Sequence, residues 1–66
     1  MPITESIEQV KIAIKYNPFA ADLHANLLKL YAEQQDGKGV QEEFNIVKRL
    51  APQSEVTKTL MKAGFK

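Results

Sequence analysis

Residues 21–54, ADLHANLLKLYAEQQDGKGVQEEFNIVKRLAPQS, decide the fold. The first half carries Leu23, Leu27, Leu30, Tyr31 and Gln34 at helical spacing, and Leu28 widens the stripe. This period predicts an amphipathic helix from about Ala20 to Gln35. Asp22 in its first turn suits the positive helix end. The second half carries Val40, Phe44, Val47 and Leu50 at the same period, which predicts a helix from about Val40 to Leu50. Between them lies Asp36-Gly37-Lys38-Gly39. Asp-Gly between β-runs would mark a hairpin. Flanked by helical periodicity, it reads as a short helix–helix connection. Pro52 closes the stretch, because proline lacks an N–H and disfavours helical backbone at the residue before it.

The flanks repeat the pattern. Asn17-Pro18 stands 34 residues before Ala51-Pro52. Ahead of it, Ile3, Ile7, Val10 and Ile14 form one stripe and predict a helix from about Thr4 to Tyr16. After Pro52, Ser54 can accept from free backbone N–H groups and so cap a last helix from about Glu55 to Ala63. Val56, Leu60 and Ala63 are its stripe, and Gly64 is a suitable stop. No segment alternates with period two, so the expected class is all-α, as one domain over residues 1–66.

Residues 21–54 resemble one complete tetratricopeptide repeat, a unit of 34 residues built from two helices. The family pattern of leucine followed four residues later by tyrosine is met by Leu27 and Tyr31, with Asn26 before them. An acidic turn residue is met by Asp36, the later aromatic by Phe44, and the closing proline by Pro52. Ala13 to Pro18 resembles the end of a preceding repeat, and residues 55–66 the first helix of a following one. Met61 and Phe65 stand there at the leucine and tyrosine positions. Departures are bulky Leu28, Val40 and Val47 where the family prefers small residues, Lys62 in place of a small one, and Gln35 in place of glycine. Gly37 is expected to take over that glycine's role. The resemblance implies four antiparallel helices in a right-handed array of hairpins.

Composition bounds the function. At 66 residues the chain holds a small core, and with no cysteine neither disulfides nor thiolate metal sites can staple it. The formal net charge of +1 argues against a dedicated nucleic-acid binder. Charge is uneven, with net −3 over residues 1–47 and net +4 over residues 48–66. Lys58, Lys62 and Lys66 make a short basic ridge, read as a solvated helix face. No apolar run reaches the ~20 residues of a membrane span. The first residues lack the pattern of a signal peptide, and a complete chain of this kind is expected in the cytoplasm.

No catalytic constellation is visible, and no cofactor is implied. His24 is the single histidine and is expected to pack or sit at a rim. Glu42-Glu43 point in different directions on a helix, so they do not read as a two-carboxylate site. Gly37-Lys38-Gly39 lacks the length of a phosphate loop.

In the resembled family the first helix of each unit lines a groove for a peptide or protein segment. The matching positions here are Asp22, Ala25, Lys29, Ala32 and Glu33, with Asn26 beside them and with Thr59 and Ala63 continuing the groove. Lys29 and Asn26 are the pair expected to matter most, through a carboxylate contact and a backbone hydrogen bond. A solvated face of small helix-forming residues is the competing reading. Tyr16, Phe19 and Phe65 lie near helix ends and are candidates for self-association. The expected function is thus a non-catalytic module that binds a protein or peptide. Two others stand beside it: a docking or assembly domain of a larger bacterial protein, membrane-associated or not, or a homodimer.

Overall fold

The computed structural model describes residues 3–64 and is all-α. It has four helices in order: α1 (Ile3–Tyr16), α2 (Ala21–Glu33), α3 (Gly37–Leu50) and α4 (Glu55–Lys62). Among the described residues there is no strand. α2 is the central element. It packs along much of α3 and, less extensively, against α1.

α1 buries Ile7 and half-buries Ile3, Val10 and Ile14, the stripe expected from their spacing. It ends where the Asn17 N–H is shared between the carbonyls of Ala13 and Ile14, each at 3.0 Å. Pro18 then follows with no N–H to continue the ladder. α2 is buried on more than its leucine stripe. Leu27 and Leu28 are both buried, and so are His24 and Ala25. Gln34, expected at the end of the stripe, is exposed.

α2 ends in a Schellman motif. The Asp36 N–H reaches the Tyr31 carbonyl at 2.9 Å, and the Gln35 N–H reaches that of Ala32 at 3.0 Å. Gln35 is the residue in left-handed backbone, at φ 59°. The expectation that Gly37 would take this role is therefore corrected. Gly37 is the first residue of α3, and that helix begins three positions earlier than its apolar period suggested. The early start has a physical cause. Asp36 is the N-cap, and its Oδ1 accepts from the Gly39 N–H at 3.1 Å.

Gly39 is needed for space. A methyl group there would come within 2.7 Å of two ring carbons of Tyr31. α2 and α3 approach closely at this turn and run antiparallel from it, with Tyr31 beside Gly39 and His24 beside Glu43. Their core is Ala25, Leu28, Phe44 and Val47, joined by Leu60 of α4, with Val40 and Val56 packed on its edge. Phe44 and Val47 are wholly inaccessible. Bulky Leu28 and Val47 are thus part of the core. The Lys48 ammonium lies 5.4 Å from the Phe44 ring centre, a cation–π contact one turn along α3.

The corner between α3 and α4 is fastened to one carbonyl. Ala51 O accepts from the Ser54 N–H at 3.2 Å and from the Thr57 hydroxyl at 2.6 Å. Ser54 Oγ caps α4 by accepting from the Thr57 N–H at 3.2 Å. The Thr57 hydroxyl has given its hydrogen to Ala51, so in the 3.0 Å contact between the two hydroxyls Ser54 is the donor. Thr57 is fully buried. α4 stops one residue before the expected Ala63, which is its exposed C-cap.

Candidate partner-binding cleft

A cleft of about 220 Å³ opens between α2 and α4. Ala25 and Lys29 line it from α2, and Glu55, Val56, Thr59 and Leu60 from α4. Burial sorts these residues into ranks. Ala25, Val56 and Leu60 belong to or border the core, so they form the floor. Lys29 follows Ala25 by one turn along the same face of α2 and reaches solvent on that wall. Glu55 and Thr59, also one turn apart, rise on the α4 wall. Lys29, Glu55 and Thr59 are exposed. Among the described residues neither Lys29 nor Glu55 forms an ion pair.

Of the positions expected to face a ligand, Ala25, Lys29 and Thr59 line this cleft. Asp22, Asn26, Ala32 and Glu33 are exposed on α2, and Ala63 is exposed at the end of α4, all outside the lining. Glu55, Val56 and Leu60 were not among the expected ligand-facing positions. The signal for Glu55 was present, since it precedes Thr59 by one turn. Val56 and Leu60 read only as the core stripe of their helix, and a floor shared with the core gives no separate signal.

Tyr16 and Phe19 are 79% and 81% exposed, at the end of α1 and in the connection to α2. Phe65, the third candidate for self-association, lies outside the described residues.

A second polar cluster sits away from the cleft. His24 is buried, with Nδ1 2.7 Å from Glu43 Oε1 and Nε2 2.9 Å from the Pro18 carbonyl oxygen. That carbonyl only accepts, so Nε2 carries a hydrogen and donates it. Nδ1 and the carboxylate then share one proton, as imidazolium with carboxylate or as imidazole with carboxylic acid. Both ring nitrogens are thereby used within the fold. His24 joins the α1–α2 connection, α2 and α3. Glu42 beside it is exposed while Glu43 is buried, the divergence that adjacent positions on a helix require.

Among the described residues no group of three His, Cys, Asp or Glu side chains is placed to hold a metal ion. No helix there is long and apolar enough to cross a membrane. Family models, curated proteins and solved structures gave no match to this chain.

Proposed function

We propose that this chain is a non-catalytic interaction module of the tetratricopeptide kind, which holds a peptide or protein segment between α2 and α4. The observation that carries the reading is the cleft itself. Its floor of Ala25, Val56 and Leu60 offers apolar surface, and its rims offer a cation, a carboxylate and a hydroxyl. An apolar floor with a few placed polar groups suits recognition. The His24–Glu43 pair, the other concentration of polar chemistry, is occupied in holding the helices together.

The test is a selection of peptides from a random displayed library on the folded chain, followed by titration. Thr59→Arg should block the cleft and weaken the selected peptide at least tenfold. Lys29→Glu should change its affinity by roughly fivefold, the scale of one exposed ion pair. Both positions are exposed, so helicity should be unchanged. Unchanged affinity in both variants would remove the cleft as the binding site.

A second reading rests on Tyr16 and Phe19, two large apolar residues that are largely exposed. They suit a chain that docks through this end, onto a second copy or onto the remainder of a larger assembly. Light scattering across a wide concentration range tests self-association. A dimer lost in Phe19→Ser would favour this reading, and a concentration-independent monomer would count against the homodimer.

A further inference from the structure

We infer that the cleft between α2 and α4 selects an amphoteric segment, one apolar side chain flanked by an acidic residue on one side and a basic residue on the other. This rests on the reading of the cleft as a binding site. The two walls carry opposite charge, Lys29 on α2 and Glu55 on α4. Each is exposed, and neither is in an ion pair among the described residues. A guest between them meets a cation on one flank and a carboxylate on the other. A uniformly acidic guest gains at Lys29 and is repelled at Glu55, and a uniformly basic guest has the reverse problem.

Size sets the middle of the motif. A cavity of ~150 Å³ holds one benzene molecule. A cleft of about 220 Å³ takes one leucine- or phenylalanine-sized side chain on the floor of Ala25, Val56 and Leu60. Reach sets the spacing. Even helices in direct contact lie ~8–10 Å apart between axes, and α2 and α4 have a cleft between them. An extended segment laid across them covers about 13 Å from two residues before the anchor to two after it, at ~3.3 Å per residue. Those positions also point to the same side as the anchor. The motif is therefore acidic, spacer, apolar, spacer, basic. It has no fixed chain direction, because reversing the chain exchanges the two ends over the same anchor.

The experiment titrates the isotope-labelled chain with four capped peptides and follows amide resonances. The peptides are Glu-Gly-Leu-Gly-Lys, Glu-Gly-Leu-Gly-Glu, Lys-Gly-Leu-Gly-Lys and Gln-Gly-Leu-Gly-Gln. The mixed-charge peptide should bind roughly threefold or more tightly than either uniform one, the scale of exposed ion pairs. Lys29→Glu should make the all-lysine peptide the best ligand, and Glu55→Lys the all-glutamate peptide. Glu55→Gln, which keeps the side-chain shape, should remove the penalty on the all-glutamate peptide if Glu55→Lys weakens α4. Equal binding of all four peptides at the cleft resonances, or an order that the variants leave unchanged, overturns the amphoteric motif and leaves the module standing. Failure of every peptide to move Ala25, Thr59 and Leu60 overturns both.

Discussion

His24 Nδ1 and Glu43 Oε1 meet at 2.7 Å inside the protein, and the hydrogen bond from Nε2 to Pro18 requires one proton between them. Replacing Glu43 with alanine leaves a buried ring nitrogen without its partner. Such a loss costs about 1–3 kcal/mol. A chain of this size has roughly 3–10 kcal/mol in total, at ~0.05–0.15 kcal/mol per residue. We expect Glu43→Ala to lower the urea midpoint clearly. Glu43→Gln should cost less than half as much, because its amide can donate to a neutral ring. Equal damage from the two variants would mean that the hydrogen bond is not what stabilises the site.

The Tyr31 ring leaves no room for a side chain at Gly39. In an open helix, glycine to alanine gains about 0.5–1 kcal/mol. Here Gly39→Ala should instead cost about 1–3 kcal/mol, the usual scale of overpacking. In Tyr31→Ala the same substitution should cost much less, with Asp36 Oδ2 at 2.9 Å the remaining close contact. A double-mutant cycle in thermal or denaturant unfolding measures this coupling. Additive effects would show that ring and glycine do not oppose each other.

Gln35 holds φ 59° where glycine would be unstrained. Left-handed backbone costs a side-chain-bearing residue roughly 1–2 kcal/mol, and glycine's greater freedom in the unfolded chain returns part of that. Gln35→Gly should therefore raise stability by about 0.5–1 kcal/mol. Gly37→Ala should also stabilise, since a methyl group there meets open space. A fall in melting temperature for Gln35→Gly would contradict the strain.

Thr57→Val removes the hydroxyl that Ala51 O and Ser54 Oγ share. We expect a loss of about 1–2 kcal/mol in unfolding experiments. Ser54→Ala should cost about 1 kcal/mol through the lost cap. The two should be less than additive, because each breaks the same small network. Full additivity would separate the cap from the corner.

The helices were legible because Ile3, Ile7, Val10 and Ile14, and then Leu23, Leu27 and Leu30, keep one period over several turns. Their ends were less so. Nothing in the apolar pattern marks Gly37 as helical, because the Asp36 cap acts on the backbone, and the left-handed turn at Gln35 lies in a residue that rarely adopts it. The His24–Glu43 pair was hidden because its members stand 19 residues apart and only the α2–α3 packing joins them. Ala25, Lys29 and Thr59, three of the six lining residues, could be read as ligand-facing through the groove positions of the resembled family. The α4 wall depended on where a corner set by Ala51, Ser54 and Thr57 aims a short helix.

The most direct measurement maps the tightest peptide from the library selection onto the amide spectrum of the labelled chain. We expect the largest shifts at Ala25, Lys29, Val56, Thr59 and Leu60, and their loss in Thr59→Arg. Shifts confined to the region of Tyr16 and Phe19, with the cleft residues unmoved, would contradict a binding site between α2 and α4.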